Sequence, residues 1–461
     1  MRRALALALA SCLLASCTSM APKYERPAAP VPAQFSGVLG PSAAETAKLT
    51  VDQFVRDPKL RTIIQRAIVH NRDLRAAVQA IEVARYQYRI QRAQALPPID
   101  AVLGVSSSRS IFPPGNSAAR FDSYSVTAGT SGWEIDVWGR LKSLADAREH
   151  NYLSIVEQAK AARVSLIAEL STAYIALAAD RSRLAIARET AELAKKTMEL
   201  TEQLVSGGTS NRGDFFQAST VYQQARSDVA LYTAAIAQDK NALDLLAGAP
   251  VPDELLPAEL SPAMDTFADV PVGLSSAVLL SRPDVRAAEH QLISANANIG
   301  EARARFFPTL SLTANGGLAS LALKALFSGP AAVFSVAPNL ALPLFRGGAN
   351  RANLALTKAQ KLQLLAVYEG TIQRAFREVA DALAVRGTIE ERLAAQAELV
   401  EASTKSVELA QARYKGGVEP FLTTLVSQRA LYAAQYSLVS TQLTALVNRV
   451  TLYRVLGGDE R

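Results

Sequence analysis

Residues 170–205 read LSTAYIALAADRSRLAIARETAELAKKTMELTEQLV, inside a longer stretch, 141–205, that contains neither proline nor glycine. Leu170, Leu177, Leu184, Ala191, Met198 and Val205 recur every seven residues; Ala173, Ala187, Ala194 and Thr201 fill the companion seam, and Asp180 interrupts it. Heptad spacing with a seam of small side chains is the pattern of helices that coil closely around one another. A helix over 141–205, at ~1.5 Å per residue, is about 95 Å long. A compact globular domain has no room for that, although a surface coiled coil or a filament segment has the same periodicity. Val379, Leu393, Val400, Val407 and Tyr414 repeat the pattern later in the chain, with Arg386 breaking it.

The recurrence belongs to a duplication. A displacement of 211 positions lays Asp73, Arg75, Ala76, Ala77, Ala84, Arg92, Ala93 and Pro97 on Asp284, Arg286, Ala287, Ala288, Ala295, Arg303, Ala304 and Pro308. Further along, a displacement of 209 lays Glu169, Ala173, Leu184, Glu189, Gly207, Gly208, Leu243 and Gly248 on Glu378, Ala382, Leu393, Glu398, Gly416, Gly417, Leu452 and Gly457. So long a period means two halves built to one plan: helix, strand pair, long helix, Gly-Gly turn, helix. The division expected is a leader at 1–16, an N-terminal segment at 17–57, repeat one at 58–248, a connector at 249–280, repeat two at 281–457 and a tail at 458–461.

The strand pairs alternate. Ile99, Ala101, Leu103 and Val105 alternate with Asp100, Gly104 and Ser106, and Tyr124, Val126 and Ala128 with Ser123, Ser125 and Thr127. In the second half Leu310, Leu312 and Ala314 alternate with Ser311, Thr313 and Asn315, and Phe334, Val336, Leu340 and Leu342 with Ser335 and Asn339. One apolar and one small polar face suits a barrel strand between lipid and a wet lumen; a half-buried sheet in a soluble protein has the same pattern. Phe112, Phe121, Trp133, Trp138, Phe306, Phe307, Phe327 and Phe345 are placed at strand ends, where rings form interfacial girdles, though core packing explains single cases equally well. Loops at 110–120 and 319–331 are expected to face outside. Two hairpins supply four strands, too few for a barrel with a useful lumen, so copies of the chain must supply the rest.

The 461 residues carry 49 basic against 42 acidic side chains, a formal charge of +7. That balance is mild, and no dense Lys/Arg run or aromatic-rich basic motif points to nucleic acid. Met1-Arg2-Arg3 followed by an apolar run over 4–14 has the form of a secretory leader, too short to span a bilayer. Leu14-Ala15-Ser16-Cys17 resembles the lipobox of bacterial lipoproteins, in which the cysteine takes diacylglycerol, the chain is cut before it and its amine is acylated. Leu9-Ala10-Ser11-Cys12 has the same form but leaves too short an apolar stretch before it, so Cys17 is preferred over it and over the alternative of an ordinary secretory signal with incidental cysteines. Thr18 after Cys17, by resemblance to lipoprotein sorting rules, favours the outer membrane. Cys12 and Cys17 are the only cysteines, so disulfides and thiolate metal sites are not expected. His70, His150 and His290 lie far apart in sequence and read as surface or packing residues. No run of 18 apolar residues follows the leader, so a membrane crossing would need strands closed into a barrel. Nucleophile elbow, phosphate loop, zinc-protease and dinucleotide fingerprints are absent from the sequence, and no cofactor or metal is expected beyond the acyl chains on Cys17.

This combination resembles the TolC/OprM outer-membrane factor family, in its lipidated OprM/NodT-like efflux branch, over essentially the whole mature chain. The local marks are Pro22-Lys23-Tyr24-Glu25-Arg26-Pro27, Trp133-Glu134-Ile135-Asp136-Val137-Trp138-Gly139-Arg140, Arg303-Ala304-Arg305-Phe306-Phe307-Pro308, Pro343-Leu344-Phe345-Arg346-Gly347-Gly348 and Arg413-Tyr414-Lys415-Gly416-Gly417-Val418. The resemblance implies a mixed α and β membrane protein: a trimeric tunnel with four strands per protomer in an outer-membrane β-barrel, continued by a periplasmic coiled-coil α-barrel. An equatorial belt would come from the termini and the 248–280 connector. The hairpins at 206–216 and 415–422 would lie at the periplasmic tip, with Gly207, Gly208, Gly416, Gly417 and Val418 facing a membrane-fusion adaptor that serves an inner-membrane RND pump. Glycine reaches the left-handed backbone such turns need, and equally suits a mere helix stop. Relatives set a constriction with an apolar residue and an acidic one a turn later; here those positions read Leu422 and Val426, so the second departs and supplies no cation-attracting ring. Asp214 either adds charge near the first turn or simply starts a helix. The expected activity is passive conduction of drugs or other small toxic solutes to the exterior. A duct for protein secretion and a nonconducting envelope tether are the rival readings.

Overall fold

The computed structural model describes residues 19–35, 49–112, 117–260, 265–269 and 275–458. Its helices and strands are α1 (Val51–Phe54), α2 (Pro58–His70), α3 (Arg72–Ala93), β1 (Asp100–Phe112), β2 (Ser117–Ile135), α4 (Arg140–Ser206), α5 (Arg212–Ala247), α6 (Pro283–Ala304), β3 (Thr309–Ser320), β4 (Ala332–Ala341), α7 (Ala349–Lys415) and α8 (Phe421–Val455), with short 3₁₀ turns between some of them. The duplication is plain in the lengths: α4 and α7 have 67 residues each, and α5 and α8 have 36 and 35. At ~1.5 Å per residue the two long helices run about 100 Å. Two compact units form, each drawing segments from both halves of the duplication.

The first unit comprises Met1–Ala28, Ala80–Val156 and Ala287–Glu369. It holds one antiparallel sheet in the order β1-β2-β3-β4. Neither face of that sheet is covered: Leu103 and Phe334 on one face are 79% and 87% exposed, Val102 and Val333 on the other are 55% and 42% exposed, and every residue of β4 is exposed. A soluble half-buried sheet would cover one face, so that alternative is not met. The outer edges of β1 and β4 have no strand beside them among the described residues.

The first hairpin is longer than its alternation predicts. Residues at the margins of the expected 110–120 loop are strand: Ser110 pairs with Ala119 and Phe112 with Ser117, while 113–116 lie outside the described residues. Phe121 is therefore inside β2, opposite Ser108, rather than at a strand end. The physical reason is that 106–110 and 117–123 carry no apolar face for a pattern to show, yet their backbones complete each other, and Arg120 bonds Ser107 and Asp122. The register shifts between Thr130 and Trp133, where Gly132 takes φ 65° and donates its N–H to Thr313 Oγ1.

The Trp133–Arg140 motif is the joint from sheet to helix. The Asp136 carboxylate caps α4, accepting from the N–H groups of Arg140 and Lys142 at 2.6 and 2.8 Å; such an anion at a helix start is favoured by its free N–H groups and dipole. Trp138 packs on Phe307 and donates to the Pro308 carbonyl, tying the start of α4 to the turn before β3. Arg140 grips Glu134 with two nitrogens. The segment 19–28 is strapped along α6 and the start of α4: Ser19 meets Ser143 of α4, while on α6 Arg303 and Asn296 donate to the carbonyls of Met20 and Pro22 and Glu289 pairs with Arg26. Gly300 is required there, since a Cβ would stand 2.6 Å from the Ala21 nitrogen.

The second unit comprises Ala29–Gln79, Glu157–Arg286 and Gly370–Arg461. Leu170, Leu177, Leu184, Ala187, Ala194 and Thr201 of the heptad seam are buried in it, as are Val379 and Val407. One 18-residue window of α4 reaches a mean hydropathy of 1.3, enough on average to cross a membrane, but 56% of it is buried by packing within the protein. The connector folds as small pieces against the helices: Phe267 bridges Val55 and stacks on Phe54, whose other neighbour is Tyr453 at 4.2 Å. Arg282 is buried with Asp284, Glu378 and the Val455 carbonyl, so one cation joins the start of α6, the middle of α7 and the end of α8. The leader, Cys17 and residues 459–461 lie outside the described residues.

Candidate functional site

The site is built from the two Gly-Gly turns of the second unit. After α4, the N–H groups of Thr209 and Ser210 both return to the Leu204 carbonyl, which needs the chain to reverse at Gly208, φ 73°. Asn211 then caps α5 by accepting from the Asp214 N–H, while the Asp214 carboxylate accepts from Ser210 and Asn211. Asp214 thus serves the turn itself. After α7, the N–H of Gly417 (φ 71°) bonds the Tyr414 carbonyl and that of Val418 bonds Arg413, closing the helix end. Only glycine enters this left-handed region without steric cost.

Between the two turns lies an open groove of about 740 Å³, bordered among others by Leu204, Asp214, Tyr414, Glu419 and Leu422. Phe421, which lines it, is buried together with Ala218 and Leu425, with Met198, Val221 and Tyr414 against them, while Thr209, Asn211, Lys415 and Glu419 give the groove a polar rim. Leu422, which borders the groove, and Val426, one helical turn further along α8, are 54% and 58% exposed; Val418 at the turn is exposed too. The two candidate gate residues therefore share an outward apolar stripe, and that stripe carries no acid. Arg429 continues it and donates to Thr220 of α5 at 2.9 Å.

Within the next turn of α8 begins a polar knot that no local pattern in the sequence marks. Tyr432 donates to Asp228 of α5 at 2.7 Å, its oxygen stands 2.9 Å from that of Tyr436, and Tyr436 donates to the Arg183 carbonyl of α4. Burial and the Asp228 carboxylate push the Tyr432 hydroxyl well above the usual tyrosine range, so it stays protonated as a donor. Asp180, the interruption in the seam, pairs with Arg183 at 2.6 Å. Asp239 is pushed up to about 6, by burial first and by the neighbouring Asp180 second. Among the described residues no group of three His, Cys, Asp or Glu side chains is placed to hold a metal.

An uncovered four-stranded meander, long paired helices and two glycine turns at the helix ends define a protomer of a TolC-like channel. The chain belongs to the outer membrane efflux protein family, whose profile matches it twice, at residues 63–249 and 274–458. It is 40% identical over 455 residues to the solvent efflux pump outer membrane protein SrpC of Pseudomonas putida, covering 97% of this chain and 96% of that protein. It is 38% identical over 461 residues to the outer membrane protein OprJ of Pseudomonas aeruginosa, covering 98% and 94%. Among solved structures, a membrane protein from Pseudomonas aeruginosa superposes with a TM-score of 0.90 at 38% identity, covering 96% of this chain and 98% of that one. The open state of the Neisseria gonorrhoeae MtrE outer membrane channel superposes at 0.85 with 35% identity, covering 96% and 98%. The protein is an outer-membrane efflux channel, the exit duct of a tripartite efflux system; its family is one of ducts rather than enzymes.

Proposed function

We propose that three copies of this chain close their sheets into one twelve-stranded barrel and conduct small toxic solutes handed over by a periplasmic adaptor and an inner-membrane pump of the RND type. The observation that carries this reading is the sheet itself: both faces and both outer edges are open, which hydrocarbon tolerates only once the edges are paired in a closed barrel. The groove between the Gly-Gly turns is the adaptor contact, with Gly207, Gly208, Gly416, Gly417 and Val418 at its ends. Leu422 and Val426 narrow the duct, and because neither is acidic the constriction is steric and dewetting in character. Relatives are named for solvent, toluene and antibiotic efflux, which supports apolar toxicants as the cargo. Cys17 carries the acyl chains that hold the mature N-terminus at the membrane. The test is single-channel recording of the purified full chain in planar bilayers, with chemical crosslinking to count copies. Conductance that rises in Leu422→Ala supports the reading. A chain that stays monomeric, or a trimer silent even in Leu422→Ala, overturns it in favour of a structural tether.

A further inference from the structure

In the first unit, α4 and α6 run antiparallel and meet through a short polar ladder. Ser294 donates to the Ala147 carbonyl at 2.9 Å, and Ser154 donates to the Ala287 carbonyl at 2.9 Å. Between those two rungs His150 faces His290, with Nδ1 to Nδ1 at 3.1 Å, ring centroids 5.3 Å apart and planes inclined by 27°. The centroid separation exceeds the nitrogen separation by about two ring radii, so the rings meet edge to edge with their Nδ1 atoms aimed at one another. That is the geometry of a single N–H···N hydrogen bond, in which one Nδ1 keeps its proton and the other offers its lone pair. With both rings protonated, each Nδ1 carries a hydrogen and the two N–H groups oppose each other.

On α4, Asp146 and Glu149 are the charges that act on His150, and burial outweighs them, holding His150 below its ordinary value. On α6, Glu289 is turned to Arg26 and Tyr24 of the N-terminal segment, and Arg286 reaches Glu157. From α7, Tyr368 stands beside the Glu289 group and Lys361 bonds Asn296.

We propose that His150 and His290 form a proton-operated clasp between α4 and α6, closed while the pair holds a single Nδ1 proton between the rings and opened when acid protonates both. Because the folded pair disfavours the second proton, its contribution is complete above about pH 6.5, the ordinary histidine value, and is lost as pH falls below it. The site would let an acidified periplasm loosen the helices that carry the sheet.

The experiment is hydrogen exchange with mass spectrometry on the full chain in detergent, from pH 7.5 to 5, corrected for the intrinsic pH dependence of exchange. Peptides covering 140–156 and 283–295 should exchange faster below pH 6.5, by up to about tenfold per pH unit. In His290→Asn the amide keeps one bond to His150 at every pH, and the acid response should shrink to what the burial of His150 alone leaves. His150→Asn should behave alike. A wild-type chain grown with a non-basic fluorinated histidine, which preserves the ring, should also lose the response if either variant folds poorly. A flat wild-type profile, or an acid response unchanged in the variants and the fluorinated chain, overturns the clasp.

Discussion

Tyr432 and Arg429 are the two α8 side chains that tie the outward stripe bearing Leu422 and Val426 to α5, and cutting both ties should bias the duct open. The Tyr432–Asp228 bond is charge-assisted and 2.7 Å long; bonds of that kind are worth ~1.5–3 kcal/mol when well buried. Tyr432 is partly buried and Asp228 reaches solvent, so the lower end, about 1.5 kcal/mol, applies. The Arg429–Thr220 bond is exposed and adds about 0.5 kcal/mol. In Tyr432→Phe, Arg429→Ala the ring of Phe keeps the packing and only the polar ties go. About 2 kcal/mol lost per protomer shifts a closed-to-open equilibrium roughly 30-fold, at 1.4 kcal/mol per tenfold. Planar-bilayer recordings of the full chain should show a matching rise in open probability at unchanged melting temperature of the first unit. If the double variant opens no more often than wild type, α5–α8 ties do not hold the gate and the constriction is set elsewhere.

Arg282→Ala should be the most damaging single change in the second unit: it strands Asp284 and Glu378, two carboxylates that still reach water, and should cost about 2–3 kcal/mol, read as a lower denaturant midpoint. Gly417→Val forces a β-branched residue to φ 71° and should lower stability by about 1–3 kcal/mol; a melting curve indistinguishable from wild type would mean the turn rearranges freely. Asp239 has a folded value raised to about 6, so its favourable contribution is complete below the ordinary aspartate value and lost as pH rises through 6. Asp239→Asn should therefore stabilise the chain at pH 7.5, by about 1 kcal/mol once solvent screening is allowed for, and give no gain at pH 4; equal gains at both would refute the assignment. Cys17→Ser should remove the acyl mass from the mature chain in intact-mass spectrometry, whereas an unchanged mass would place processing elsewhere.

The long helices were legible because nothing between 141 and 205 can stop a helix and the seam repeats every seven residues, and the pairing of halves was legible because Gly207-Gly208 and Gly416-Gly417 recur in register. The strands were legible only where a face is apolar. Residues 106–110 and 117–123 are Ser, Arg, Ala and Asp with Phe121 as the one aromatic, and their strand state comes from backbone pairing across the hairpin, which leaves no one-dimensional trace. The same limit hid the knots. Tyr432 and Asp228 are 204 positions apart, and His150 and His290 are 140 apart; each looks ordinary until folding sets it beside its partner. Leu422 and Val426 were singled out by resemblance to relatives rather than by any local pattern, and both are exposed on α8.

The unfinished margins of β1 and β4 carry a consequence for biogenesis. Each helix satisfies its own peptide groups as it forms, so a newly exported chain can complete its helices alone. On the trimeric reading proposed above its meander cannot: two rows of amides and carbonyls stay dependent on water until neighbouring copies arrive, and such rows also invite wrong partners. Entry into the bilayer must then wait for association, and the rate at which copies find one another, rather than the folding of any one of them, sets how much duct reaches the envelope.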